Sequence, residues 1–236
     1  MTSMRSCVAL AALALASGCS GPTSPSPAAT ACNPTASSAQ TASPFFNRPF
    51  RGEFRLGTLF DHDKPLPFGD GNNYVLSMCG ARDADQKNVN GHNGYDWRMP
   101  KGTPLIAVAD GLVMYAGLEE PFNCPALGRA VQAIYVQLRH RGPDGTEYIT
   151  IYGHLSRVSV AQGDVIAAGT VVGFSGNTGC SGTPHLHFGV FKGRDGNFTV
   201  IDPYGWHASS PDPWEVDPRG TSSVWLWRDG EAPGLR

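Results

Sequence analysis

The sequence predicts a mostly β protein, built as an antiparallel sheet or sandwich-like arrangement with short loops and little helix. Three observations carry this expectation. Glycine and proline are frequent, at 29 and 19 of 236 residues, and they punctuate many short β-branched or aromatic runs. Several of those runs alternate with a period of two. No window sustains a helical apolar period over ten residues or more. The length leaves room for one sizeable domain with extensions or for two small ones. A formal net charge of −2 offers no basic face to a nucleic acid, so no nucleic-acid partner is expected.

Residues 1–18 carry Arg5, an apolar stretch from Val8 to Ala16 too short to span a bilayer, and then small residues. This is the pattern of an export signal. The stretch LASGC resembles a bacterial lipobox, in which Cys19 becomes the lipid-modified N-terminus, although Ala16 stands where leucine is commonest. Cleavage by an ordinary signal peptidase near Ala16 or Gly18 is the alternative. Residues 19–44 are rich in Ser, Pro, Ala and Thr, without charge or apolar periodicity, and cannot bury enough surface to offset their ordering entropy. Anchor, tether and domain together describe an exported envelope protein held at the membrane through lipidated Cys19. With Cys7 removed in the signal, Cys32, Cys79, Cys124 and Cys180 remain. Two disulfides are expected in an oxidising compartment, because no C-x-x-C pair occurs. Of the three possible pairings, the favoured one joins Cys124 to Cys180 and Cys32 to Cys79.

The folded part divides into an N-terminal extension (45–90), a core (91–206) and a Pro- and Trp-rich tail (207–236). Within the core, TPLIAVADGLVMYAG (103–117) reads as two short strands around Asp110-Gly111. AIYVQLRH and EYITIYGHL flank the turn RGPDGT, and VVGFSG and HLHFGVF follow. Alternation places Tyr148, Thr150, Tyr152 and His154 on one face and Ile149 and Ile151 on the other. His154 thus ends a strand on what is expected to be its polar face.

In PHLHFGV (184–190), His185 and His187 share a strand face about 6.6 Å apart. Leu186 and Phe188 point the other way, toward a core. In GHNGYDW (91–97), His92 and Asp96 are four residues apart, but Gly91, Asn93 and Gly94 disfavour a helix. On a straight strand the two would lie about 13 Å apart, too far to share an ion with bonds of roughly 2 Å. The spacing therefore requires a bent loop entering a strand, and Gly94 allows such a bend. Four histidines and one aspartate from three segments are donors of the kind zinc takes. Three ligands leave an open coordination position and four close it, so five candidates suffice for three ligands and two helpers. The other histidines are given structural readings: His62 lies between two aspartates in a solvated acidic loop, His140 is structural or substrate-lining, and His207 belongs to the tail.

Three motifs in order, H-x-x-x-D as HNGYD, a lone histidine in YGHLS, and HLH, resemble those of the lysostaphin-type, or LytM-like, zinc endopeptidases, which cleave the peptide part of bacterial cell wall. KGTPLIAVADGLVMYAG and VAQGDVIAAGTVVGFSGNTG look like that family's framework of glycine-pivoted strands, and the resemblance spans roughly residues 75–205. It implies Zn2+ as cofactor, with His92, Asp96 and His187 as metal ligands and His154 and His185 as the catalytic pair. His185 is given mainly the base role and His154 that of orienting or stabilising the tetrahedral oxyanion. The substrate implied is a peptidoglycan cross-link or stem peptide, and a monomer is the expected state. Two other classes remain: a LytM-like binding module that activates a cell-wall amidase, and an exported zinc peptidase acting on a non-wall peptide. Gly189 stands where the family commonly has an acidic residue, and Thr183-Pro184 replaces its usual Gly-Pro. Both departures bear on loop shape and substrate preference, not on the ligands.

Overall fold

The computed structural model describes residues 34, 43–65 and 72–236. The signal segment, Cys19, Cys32 and nearly all of the 19–44 linker lie outside the described residues. In chain order the strands are β1 (Arg55–Thr58), β2 (Val75–Leu76), β3 (Arg82–Asp83), β4 (Tyr95–Arg98), β5 (Pro104–Ile106), β6 (Gly111–Leu118), β7 (Phe122–Cys124) and β8 (Arg129–Val131). They continue with β9 (Ile134–Arg141), β10 (Glu147–Gly153), β11 (Arg157–Val158), β12 (Val165–Ile166), β13 (Val171–Phe174), β14 (His185–Arg194) and β15 (Asn197–Ile201). Among the described residues, helix is confined to a 3-10 segment, Ala84–Val89, and a single α turn, α1 (Pro213–Val216). Each starts at an aspartate that caps a free backbone N–H: Asp83 accepts from Asp85 and Asp212 from Trp214.

The main sheet runs β1-β4-β14-β10-β9-β6-β12, and β15 also pairs with β14. All its pairings are antiparallel. β14 is the longest strand and organises the sheet: its first half pairs with β4, its second half with β15, and its other edge with β10. The β9–β10 hairpin closes where RGPDGT places it, with Gly145 at φ 83° and Gly142 N–H bonded to the Thr146 carbonyl. The strands expected on either side of Asp110-Gly111 both form, but they do not pair. β5 joins β13 and β11 in a separate three-stranded sheet, while β6 pairs with β9 and β12. Tyr152 ties the two sheets together, its hydroxyl donating to the Ile106 carbonyl (3.0 Å) and accepting from Val108 N–H (3.1 Å).

One face of the main sheet is core. Tyr95, Trp97, Leu186, Phe188, Val190, Val136 and Leu138 are all fully buried there. Tyr148, Thr150 and Tyr152 lie on this same face, which corrects the expectation of a polar face ending at His154. Two of them find internal partners for their hydroxyls: Tyr152 in β5 and its following loop, and Thr150 in His140 Nε2 at 2.9 Å. His140 also donates from Nδ1 to the Asp110 carbonyl (2.9 Å), and burial pushes its pKa down to about 4. It is a structural residue.

The segment read as a tail is part of the core. Trp214, Trp225, Leu226 and Trp227 are buried, and Trp227 bridges to Phe46 in a short parallel contact. Phe46, Tyr204 and Phe188 surround Trp227 at ring separations of 5.9, 5.5 and 5.9 Å. Both ends of the described chain thus close over the same aromatic cluster. His207 donates from Nε2 to the Tyr204 carbonyl (2.7 Å).

His62 is also unlike its sequence reading. It is fully buried, not solvated, with Nε2 2.9 Å from Asp202 and Nδ1 3.0 Å from Asp212. Tyr95 donates its hydroxyl to the same Asp202 carboxylate (2.7 Å). Burial alone would lower the pKa of His62, but hydrogen bonds and charge from Asp202 and Asp212 outweigh it and raise the value to about 9. A histidine in the unfolded chain releases its proton near 6.5, so this stabilisation is complete below that pH and is lost as pH rises through 9. Unfolding free energy should therefore fall between pH 6.5 and 9, by on the order of 3 kcal/mol. His62→Gln should flatten this decline in denaturant titrations at several pH values.

Candidate metal centre

The face of the main sheet opposite the core carries the site. On β14, His185 and His187 point to this face, while Leu186 and Phe188 are buried on the other. Register sets His187 directly opposite Asp96 on β4 and opposite Gly153 on β10. Asp96 shares the site face because Tyr95 and Trp97, on either side of it, are core. His92 lies before β4, where the chain has turned at Gly91 (φ 83°). Gly94 then crosses the β14 backbone so closely that a Cβ there would sit 2.5 Å from the Phe188 carbonyl oxygen. The bend demanded by the His92–Asp96 spacing is present, and close approach is what makes residue 94 glycine.

Three donor atoms converge: His92 Nε2, His187 Nδ1 and Asp96 Oδ1. The two nitrogens are 3.1 Å apart, and they stand 3.1 Å and 3.0 Å from the carboxylate oxygen. Ligands held tetrahedrally at about 2.0–2.1 Å stand roughly 3.3 Å from one another, so this triangle has nearly the size a zinc ion needs. Its chemistry points the same way. His92 donates from Nδ1 to the Leu59 carbonyl (2.8 Å), so in the neutral ring Nε2 carries a lone pair. That lone pair faces a carboxylate lone pair at 3.1 Å, an arrangement that calls for a cation between them. Among the described residues these three form the one group of His, Cys, Asp and Glu whose donor atoms are close enough to hold a metal.

The charges are tightly coupled. Burial opposes ionisation of Asp96, yet the neighbouring His92 and His187 hold its pKa well below the usual carboxylate range. Burial also works against a charged His92, but Asp96 and the Leu59 carbonyl prevail and raise its pKa. For His187 burial prevails and keeps the pKa below the ordinary value. The side chains of His92, Asp96 and His187 are 13, 15 and 18% exposed, which leaves the triangle enclosed on the protein side yet reachable from solvent.

His154 and His185 stand beside the triangle. His185 Nε2 is 3.7 Å from Asp96 Oδ1, and the His154 ring lies 4.6 Å from that of His185 and 5.9 Å from that of His187. Strand alternation does not bring His154 here, since β10 ends at Gly153. His154 adopts a left-handed backbone, φ 60°, and leaves the alternation of the strand. Loop 177–183 orients both rings. His154 donates from Nδ1 to the Thr178 carbonyl and His185 from Nδ1 to the Thr183 carbonyl, each at 2.7 Å, which leaves both Nε2 atoms for the site. Burial, with charge on His187 and His185, lowers the His154 pKa to about 4. The loop is pinned by a disulfide from Cys180 to Cys124 on the β7–β8 hairpin, with Cα atoms 5.3 Å apart. Cys79 is disulfide-bonded as well, and its expected partner Cys32 lies outside the described residues.

Sequence reasoning missed the residues that orient these rings. Leu59, Thr178 and Thr183 act through backbone carbonyls, which no side-chain motif reports.

An antiparallel β scaffold with a solvent-reachable His-Asp-His triangle and two anchored imidazoles defines a metallopeptidase-type site. Residues 90–203 match the family described as Peptidase family M23, and they form an M23 peptidase domain. The cofactor of this family is Zn2+, which the donor set fits. Over 112 residues the chain is 38% identical to the peptidoglycan DD-endopeptidase ShyA of Vibrio cholerae, a match covering 47% of this chain and 23% of that protein. Over 117 residues it is 35% identical to the glycyl-glycine endopeptidase ALE-1 of Staphylococcus capitis, covering 49% of this chain and 29% of that protein. The chain thus spans less than a third of the length of these curated relatives. Among solved structures, the catalytic domain of lysostaphin from Staphylococcus simulans aligns at 29% identity and a TM-score of 0.41, over 64% of this chain and 89% of that one.

Gly94→Ala tests the close crossing under the site. The added methyl should force β4 away from β14 beside His187, costing ~1–3 kcal/mol in chemical denaturation.

Proposed function

We propose that this chain is a zinc-dependent endopeptidase that hydrolyses cross-links or stem peptides of bacterial peptidoglycan. His92, Asp96 and His187 are its metal ligands, and His154 and His185 act on the substrate. The observation that carries the reading is the donor triangle of zinc-ligand size flanked by two rings whose Nδ1 atoms are already committed to backbone carbonyls. Wall peptide is the substrate class named for the peptidoglycan relative reported above. A binding module that only activates another enzyme has no need of two imidazoles held in one tautomer beside a metal site.

Zinc supplies Lewis acidity toward a scissile carbonyl and makes water a usable nucleophile near neutral pH. The protein supplies the rest. Asp96 brings negative charge to the ligand set, and the Leu59 carbonyl fixes the His92 ring with Nε2 inward. With Nδ1–H directed to Thr183, His185 presents Nε2 as a proton acceptor for water and can hand that proton to the leaving amine. His154, neutral at pH 7, presents an acceptor in the same way, so it suits orienting water or substrate N–H groups. Stabilising an oxyanion would require His154 to be protonated first. Export through the 1–18 signal, anchoring by lipidated Cys19 and a tether over 19–44 complete the proposal, which places the enzyme in the cell envelope, where disulfides persist.

Substitution separates the two roles. His92→Ala, Asp96→Ala and His187→Ala should each lose both zinc and digestion of purified wall sacculi. His154→Ala and His185→Ala should keep one equivalent of zinc while turnover falls by ~10²-fold or more. Wall digestion undiminished in all five variants would remove the peptidase reading. Mass analysis of the released fragments names the bond.

Loop 177–183 gives a second test. Cys124→Ser/Cys180→Ser should retain zinc, since the triangle lies on other segments, yet lose about ten-fold or more in kcat through looser His154 and His185 rings. Zinc content and single-turnover rates measured together check this.

A further inference from the structure

The segment just after β1, outside the residues matched to the peptidase family, is built into the metal centre. Asp61 is fully buried, and its carboxylate accepts three backbone N–H groups. Oδ1 takes those of Leu76 (3.0 Å) and Asp63 (3.1 Å), and Oδ2 takes that of Gly91 (2.8 Å). The Asp61 N–H donates in turn to the His92 carbonyl (2.9 Å). One residue therefore grips the backbone on both sides of the Gly91–His92 peptide. Two residues earlier, the Leu59 carbonyl receives the His92 ring Nδ1–H, and Leu59 N–H is itself held by Gln86 Oε1 at 2.9 Å. His62, the residue after Asp61, fastens the segment to Asp202 and Asp212, and Asp202 accepts from Tyr95, the residue adjoining Asp96.

A buried carboxylate is costly unless its oxygens are hydrogen-bonded, and here every bond it makes is to backbone. Two of the four contacts of Asp61 meet Gly91 and His92, residues that no strand pairing holds. His92 lies on a bend outside β4, so register does not fix Nε2 in the triangle as it fixes His187 and Asp96.

Resting on the ligand assignment above, we propose that Asp61 is a positioning residue of the metal centre. Through Asp61 and Leu59, the segment 59–61 holds His92 Nε2 in the donor triangle, and zinc affinity depends on a part of the chain outside the family match. Asp61 touches neither metal nor substrate. Its contribution is to keep the first ligand preorganised, so that binding does not have to order the 90–92 bend.

The test uses the full chain and zinc alone. In Asp61→Asn one side-chain oxygen becomes an N–H2 donor, which cannot accept from Gly91 or from the Leu76 and Asp63 pair. Zinc affinity, measured by competition with a chromophoric chelator, should fall about 10- to 100-fold. The rise in melting temperature between chelator-treated and zinc-saturated protein should shrink with it. If Asp61 served the fold alone, the variant would melt lower in both conditions with the zinc-induced rise and the affinity unchanged, and that result overturns the proposal. Gln86→Ala provides a milder variant in case Asp61→Asn cannot be purified folded. It frees the Leu59 peptide while leaving the Asp61 contacts, so a several-fold loss of zinc affinity supports the role of the segment and wild-type affinity overturns it. His92→Ala, run alongside, keeps the two readings apart: wild-type zinc binding in that variant would defeat the ligand assignment itself.

Discussion

The register of β14 between β4 and β10 is the constraint on which the site depends. Opposed residues of an antiparallel pair share a face, so placing His187 against Asp96 and Gly153 brings two donor groups of the triangle together and leaves the third neighbour without a side chain in the way. The same register buries Leu186, Phe188 and Val190 completely. Each such side chain contributes roughly 1.5–3 kcal/mol by leaving water. A one-residue slip would expose all three and turn both histidines into the core. The loss, about 5–9 kcal/mol, would be comparable to the whole stability of a typical domain. Core packing thus holds the site in place.

The remaining site residues come from departures from regular strand. His92 lies before β4 on a bend, and His154 follows β10 in a left-handed conformation. Such positions are not held by a hydrogen-bond ladder, and each is secured by other means. His92 is held by segment 59–61, and His154 by the Thr178 carbonyl on a loop tied down by Cys124–Cys180. Gly176 lets that loop close in: a Cβ there would lie 2.4 Å from Ser156 N. A recurring device sets the rings. Three of the four histidines spend Nδ1–H on a backbone carbonyl and so present Nε2, while His187 alone meets the triangle through Nδ1.

The segments flanking the M23 domain do related work from behind the sheet. Phe46 and Trp227 close the aromatic cluster over Phe188, whose neighbour in sequence is His187 of the donor triangle. His62, between Asp202 and Asp212, joins the N-terminal extension to the chain beyond β15. An ion pair buried this deeply holds only because both imidazole nitrogens have carboxylate partners and Asp202 has Tyr95 besides.

By itself the sequence determined whatever follows from local period and donor chemistry. Alternation in HLHFGV put His185 and His187 on one face, the H-x-x-x-D spacing demanded a bent loop entering a strand, and five zinc-type donors with no competing C-x-x-C marked the metal chemistry. The glycine- and proline-punctuated runs gave the antiparallel β class. What needed the tertiary structure was every choice between two locally equivalent options. Period two separates the faces of β10 but does not say which is buried, and on the Tyr148–Thr150–Tyr152 face the Thr150 and Tyr152 hydroxyls tolerate the core because they find partners on other elements. The same holds for His62, whose acidic neighbours in sequence suggested solvent while its actual partners are 140 and 150 residues away. Proline and tryptophan in 207–236 looked like a tail for want of periodicity, yet the tryptophans fill a core completed by Phe46, far away in sequence. The carbonyls that set the imidazole tautomers belong to backbone common to every residue type, so only the folded path of the chain decides which of them a ring will meet.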